Sequence, residues 1–386
     1  MSDLAQRALL PAGLRDILPP EAALESAAVE KLMAAFAAQG YERVKPPLVE
    51  FEESLLSGSG AAMRPHTFRL MDPVSQRMMG LRADMTLQIA RIAATRLANA
   101  PRPLRLCYAG QVLRVKGDDL RPERQFGQVG AELIGSDLAA ADAEAILLAA
   151  TSVRDLGVKN LSVDLSAPAL VPALTAGLKL GEGDARRLRD ALDHKDRAMV
   201  AKLGGTMAAT LDALLRAAGP VASALDQLSR ISLPPPAAVE AKRLADVAGL
   251  IGAAEPGLSL TVDPVENRGF EYDTGLCFTL FADGVRGELG RGGRYRAGEA
   301  LKAGNGEPAI GFTLFTDTLL QAIPEAPPPR RVYLPVGTSP DVAARLRAEG
   351  WIALAALAPN ADPQSEARRL GCSHCLRDGQ PAKLTS

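Results

Sequence analysis

Residues 104–114, LRLCYAGQVLR, and 125–135, QFGQVGAELIG, are two apolar runs joined by a polar stretch, VKGDDLRPER. Such a connection is too short for the helical crossover that parallel neighbours need, so the runs read as antiparallel strands. Gln128 and Glu132 stand four residues apart on the second run, an even separation that puts both side chains on one face. Around them the sequence offers Arg82, Asp84 and Thr86 from LRADMT, then Arg114 and Arg124. Asp84, Gln128 and Glu132 could surround an ammonium or an imidazole, and Arg114 could hold a carboxylate in a bidentate fork. An internal salt-bridge network is the competing reading of the same residues.

The rest of the chain supplies helices around further strands. Pro19 and Pro20 open a helix in which Leu24, Ala28, Leu32 and Phe36 recur at helical spacing, and Gly40 is placed to end it. YERVKPPLVEF is extended, with Pro46 and Pro47 excluding a central ladder position. TFRLMDPVSQRMMGL reads as two strands around an Asp-Pro turn. Residues 167–250 are Ala/Leu-rich with helical periodicity and read as a helical insert. LSLTVD, GLCFTLFA, VRGELG and PAIGFTLF return as strands, residues 324–330 form a proline-rich linker, and 331–386 make a small α/β unit. The fold class is α+β.

Composition narrows the function classes. Lys and Arg (44) nearly balance Asp and Glu (45), which argues against a general nucleic-acid or membrane binder. No run approaches the length of a membrane span. MSDLAQRALLPAG has neither the basic nor the apolar stretch of a signal peptide, and four scattered cysteines make no disulfide framework; the cytoplasm is expected.

Other clusters are weaker. ENRGFEYDTG (266–275) could close over a small polar ligand or be a surface loop. GRGGRYR suggests a phosphate-cradling loop without the spacing of a nucleotide motif. CSHC (372–375) packs three candidate zinc ligands into four residues without a fourth, which is poor spacing for a tetrahedral site, so no metal and no cofactor are expected. Cys107 and Cys277 read as core residues, and His66 and His194 as structural or surface groups.

Taken in order, these segments resemble histidyl-tRNA synthetase, a class II synthetase. LPAGLRDILPPE resembles that family's opening, GYERVKPPLVE its first motif, and LRVKGDDLRPERQFGQVGAELIG its second. RGFEYDTG resembles its histidine-specific loop, and GRGGRYRAG with PAIGFTLFTDTL its third motif. The resemblance covers about 1–165 and 255–323. It implies a class II synthetase-like antiparallel sheet with flanking helices over 1–323, and a shortened counterpart of the anticodon-binding domain at the C-terminus. It also implies a histidine-sized pocket of Asp84, Thr86, Arg114, Gln128, Glu132, Arg268 and Tyr272, with Asp273 where the family has a second tyrosine. A homodimer through residues 40–51 is carried over likewise.

The nucleotide site departs from that pattern. Lys116 replaces an acidic residue, Asp118 and Asp119 would face the triphosphate, Phe315 replaces a glycine, and Thr318 replaces the arginine that steadies ATP phosphates. A kept amino-acid pocket beside a lost ATP site resembles the regulatory subunits of ATP phosphoribosyltransferase. That likeness implies no catalysis by this chain, a hetero-octamer with a short-form catalytic subunit, and histidine as feedback effector in histidine biosynthesis. A divergent synthetase, or a paralogue binding another amino acid, is the alternative.

Overall fold

The computed structural model describes residues 9–56, 58–117, 121–178, 180–266, 273–299, 306–325 and 327–384. By compactness the chain divides into Met1–Pro324 and Glu325–Ser386. The first described helix, Glu21–Ala38, starts after Pro20, buries Ala28, Leu32, Met33 and Phe36, and stops at Gly40, whose φ of +85° suits glycine. Beyond it lie β1 (Glu42–Arg43) and β2 (Val49–Phe51), with Pro46 and Pro47 between them outside any ladder. β3 (Arg69–Met71) and β4 (Met78–Leu81) form the expected hairpin, whose turn is held by Asp72 accepting from the Val74 and Ser75 amides. These strands make a three-stranded sheet in the order β2-β4-β3.

The main sheet adds β5 (Leu104–Leu113), β6 (Gln125–Ile134), β7 (Leu161–Ser166), β8 (Gly219–Pro220), β9 (Ser259–Asp263), β10 (Cys277–Ala282), β11 (Gly290–Ala297) and β12 (Glu307–Phe315). Nine strands run in the order β1-β5-β6-β12-β11-β10-β7-β9-β8. Among the described residues of this sheet, only β1–β5 and β7–β9 pair parallel. Alternation along β6 separates two environments. Val129, Ala131 and Leu133 enter the larger core with Phe36, Ile146 and Phe312, while Phe126 and Ile134 join a second core with Met85, Ile89 and Phe315.

GRGGRYR is not a loop. It lies within β11, and its glycines answer packing rather than phosphate: a side chain at Gly292 would strike the Phe278 ring, and one at Gly293 would meet Cys277 and Asp273. Among the described residues, the regular elements of the 167–250 stretch are short helices joined by turns, apart from Gly219–Pro220, where it contributes β8, and its last helix runs on to Ala254. Its Leu188, Leu211 and Leu244 bury into the same core as the sheet. An ionic cluster reinforces that packing. Arg294 of β11 lies 2.6 Å from Asp142 of helix Ala139–Asp155, which also takes Arg243 of helix Pro235–Ala254 at 3.2 Å.

In Glu325–Ser386, β13 (Arg331–Leu334), β14 (Ile352–Ala355), β15 (His374–Arg377) and β16 (Gln380–Lys383) form a sheet in the order β14-β13-β15-β16. Cys372 and Cys375 pack with Tyr333 and Ala367, and the His374 ring meets Trp351 edge-on. CSHC is thus absorbed into packing. No helix of the described residues is long and apolar enough to cross a membrane.

Candidate functional site

The β6 face that carries Gln128 and Glu132 meets side chains from four other segments. Gly130, between them, leaves the space that the Tyr108 ring uses; an added Cβ there would come within 2.5 Å of the Tyr108 hydroxyl. That hydroxyl donates to Glu132 Oε1 at 3.2 Å and lies 2.8 Å from Thr313 Oγ1 of β12 and 3.3 Å from Thr86 Oγ1. Tyr295 of β11 donates to Glu132 Oε2 at 2.9 Å. Gln128 donates to Asp84 Oδ2 at 3.0 Å and accepts from the Met85 amide at 3.0 Å, while Asp84 Oδ1 accepts from the Thr86 amide at 2.9 Å. Asp84, Thr86, Gln128 and Glu132 are all buried, so the network fixes their positions in a medium where unpaired polar groups are costly.

Burial sets the electrostatics. Desolvation pushes the Glu132 carboxyl up to about 8; hydrogen bonds from Tyr295, Thr86 and Tyr108 pull the other way, and the nearby Asp84 charge adds to the rise. Desolvation, then the charge of Glu132, likewise drives the Tyr108 and Tyr295 phenols well above their ordinary range. Glu132, Thr86, Tyr295, Gly293, Gly311 and Asp273 border a narrow pocket with about 10 Å³ of solvent-accessible space. That is room for about one water. The pocket is tight because the Glu132 carboxyl lies across Gly311.

The structure therefore joins Asp84, Thr86, Gln128 and Glu132. Arg114 stands beside them, its Nε donating to the Ala83 carbonyl at 3.4 Å and its guanidinium 5.1 Å from the Phe126 ring centre. Arg268, Tyr272, Asp118 and Asp119 lie outside the described residues. Sequence reasoning missed Tyr108, Tyr295 and Thr313. Tyr108 shares a strand face with Gly110, and Tyr295 with Gly293, but nothing in the sequence gives the register that brings them to Glu132.

Next to this pocket, the third-motif residues are packed shut. Phe315 is fully buried and meets Phe126 edge-on at 5.9 Å. Arg121 lies 3.9 Å over the Phe315 ring and 4.8 Å from Phe126, and its Nε donates to Asp317 Oδ2 at 2.7 Å. Thr318 donates to the Glu288 carbonyl at 2.7 Å. Lys116 is exposed on the surface beside Ala12–Arg15.

The family of histidyl-tRNA synthetase matches residues 13–319. A relative from Paramagnetospirillum magneticum is 59% identical over 376 residues, covering 97% of this chain and 98% of its own. One from Rhodospirillum centenum is 58% identical over 373 residues, covering 97% and 95%. Both are described as ATP phosphoribosyltransferase regulatory subunits. The chain belongs to the ATP phosphoribosyltransferase regulatory-subunit family. Its fold is that of class II synthetases: a Bacillus halodurans structure, described as an ATP phosphoribosyltransferase regulatory subunit/histidyl-tRNA synthetase, superposes with a TM-score of 0.81 at 24% identity. It covers 94% of this chain and 96% of its own. In this regulatory-subunit family member, the polar pocket and the packed Phe126–Phe315 corner share one face of the sheet.

Proposed function

We propose that this chain is the non-catalytic regulatory subunit of an ATP phosphoribosyltransferase. It works with a short-form catalytic subunit in the first step of histidine biosynthesis and carries feedback inhibition by histidine. The effector binds where Asp84, Thr86, Gln128 and Glu132 converge, with Arg114, Arg268 and Tyr272 completing the site by resemblance to the synthetases. Asp84 and Gln128 suit an ammonium, and Glu132 suits the imidazole end.

The observation that carries this reading is the contrast between neighbouring halves of one face. The amino-acid half keeps a connected set of buried donors and acceptors. The nucleotide half is filled by the chain's own Phe315, Phe126 and Arg121, with Thr318 turned to a backbone carbonyl. The Arg121 guanidinium, 3.9 Å over Phe315, occupies the kind of surface that an adenine ring would use. Adenylation is accordingly lost.

Inhibition is then a matter of linkage: histidine inhibits because it binds the inhibited arrangement of the complex more tightly than the active one. A coupling of about 1–3 kcal/mol suffices. The working assembly is a cytoplasmic hetero-octamer built on homodimers that form through residues 40–51. The test is to mix the chain with a short-form catalytic subunit and measure phosphoribosyl transfer with and without histidine. Complex formation, stimulation and histidine inhibition are expected. Histidine-dependent ATP–pyrophosphate exchange by the chain alone would instead identify a working synthetase.

A further inference from the structure

The stretch that brings Asp84 and Thr86 to the buried network is itself anchored on the residues leading into β2. Thr86 is the first residue of helix Thr86–Ala94. Arg82, ahead of it, is buried; its guanidinium donates to the Pro46 carbonyl at 3.1 Å and the Gln111 carbonyl at 2.8 Å. The Arg82 amide donates to the Leu48 carbonyl at 3.1 Å. Inside the helix, Gln88 Nε2 donates to the Pro47 carbonyl and to Glu50 Oε1, both at 2.8 Å. Arg91, on the same helix face, closes on the same carboxylate, with Nε 2.8 Å from Oε2 and Nη2 2.5 Å from Oε1. A bidentate guanidinium fork fixes direction as well as distance.

Glu50 is thus the point where the helix grips the small β2-β4-β3 sheet. Its side chain is only 8% exposed, so the ion pair is weakly screened. Glu50 lies opposite Gly80 of β4, on the face turned to the helix. The other face carries Val49, Phe51, Leu70, Met79 and Leu81, and none of these joins a hydrophobic core of the described residues. The grip is also incompletely satisfied. Gln88 is buried, and its Oε1 has no hydrogen-bond partner among the described residues. A buried acceptor left open is a local strain of the kind that a second arrangement relieves.

We propose that Glu50 is the positioning residue through which an occupied pocket acts on the β2-β4-β3 sheet. Histidine held by Asp84 and Thr86 sets the start of helix Thr86–Ala94, and Gln88 and Arg91 carry that setting to Glu50. This rests on the reading that histidine binds where Asp84, Thr86, Gln128 and Glu132 converge. The helix transmits as a rigid body, because Thr86 and Arg91 are separated by only about one and a half turns. Inhibition depends on the grip and binding does not: neither Glu50, Gln88 nor Arg91 is among the described residues that border the pocket.

The test separates binding from its consequence. In the full chain, histidine should slow hydrogen exchange in Val49–Phe51 and Met78–Leu81 as well as in the pocket strand Gln125–Ile134. Glu50→Gln keeps the shape and drops the charge. By titration calorimetry it should bind histidine within about twofold of wild type, yet lose the protection of β2 and β4. In complex with the short-form catalytic subunit, it should need about tenfold more histidine for half-inhibition. If Glu50→Gln does not fold, Glu50→Leu with Arg91→Met removes both charges and is read in the same way. Protection confined to the pocket in wild type overturns the inference and leaves histidine as effector. So does inhibition unchanged in the variant, or a loss of binding that matches the loss of inhibition. Absence of histidine binding by wild type overturns the effector reading and the inference with it.

Discussion

Gly311 of β12 lies directly opposite Glu132 of β6, and the Glu132 carboxyl rests where a Gly311 side chain would be. The glycine is needed here for close approach, not for a special φ. Gly311→Ala should therefore act as an overpacking substitution costing about 1–3 kcal/mol, and it should displace the carboxyl from its tyrosines. In a Glu132→Ala background the same change should be nearly free, because the three atoms closest to the new methyl all belong to Glu132. A double-mutant cycle by denaturant titration checks this. Additive costs would place the strain elsewhere.

Glu132 also makes stability depend on pH. Its carboxyl titrates near 4.5 when exposed and near 8 in the fold, so the folded state holds a proton that the unfolded state has lost between those values. The stabilisation is fully present below about pH 4.5 and fades as pH rises towards 8, with a slope of at most about 1.4 kcal/mol per pH unit. Glu132→Gln keeps an acceptor for the tyrosines and abolishes the titration. Relative to wild type, the variant should gain stability between pH 5 and pH 8 and hold that gain above pH 8. Parallel pH profiles for the two proteins would show that Glu132 does not titrate in this window.

Much of the main unit was legible in the sequence because its signals are local. The proline pair, helical spacing and Gly40 bounded the first helix, and the Asp-Pro turn gave the β3–β4 hairpin. The even spacing of Gln128 and Glu132 put both on one face. What the sequence hid depends on register. GRGGRYR looked like a loop since glycine usually marks one, yet Gly292 and Gly293 are spaces left for Phe278, Cys277 and Asp273 on neighbouring segments. Tyr108, Tyr295 and Thr313 lie on three different strands, and only pairing brings their hydroxyls together. Arg121 was one arginine among several in a polar loop; its place on Phe315 is a tertiary fact.

The Asp142 cluster predicts a different kind of sensitivity. Asp142 is fully buried and Arg294 nearly so, with Arg243 on the outer side. The 2.6 Å approach of Arg294 Nε is an ionic contact rather than an aligned hydrogen bond, and Arg294 also donates to the Ser136 and Leu138 carbonyls. Burial raises the Asp142 carboxyl despite both arginines. Asp142→Ala leaves the Arg294 charge in the interior with the exposed Asp137, 3.1 Å away, as its remaining acidic contact, and should cost up to about 3–5 kcal/mol. Because the cluster ties β11 to two helices, hydrogen exchange should accelerate in Ala139–Asp155 and Pro235–Ala254 together. Faster exchange in only one helix would refute that linkage.

Arg121 and Asp317 supply the sharpest test of the packed corner. Their side chains are 6% and 12% exposed and meet at 2.7 Å, with the guanidinium carbon 3.9 Å from the Phe315 ring centre. A buried pair is costly to break from one side, since the remaining charge loses that ionic contact but not its desolvation. Asp317→Ala should therefore destabilise the chain by about 3–5 kcal/mol. Replacing both, as Arg121→Met with Asp317→Leu, removes the two charges and leaves apolar volume beside Phe126 and Phe315, which should be close to neutral. Thermal melts of the single and double variants decide the matter. If D317A melts like wild type, Arg121 is not held by Asp317, and the corner would be free to open for a nucleotide. If the double variant is as unstable as the single one, the two charges are not acting as a pair.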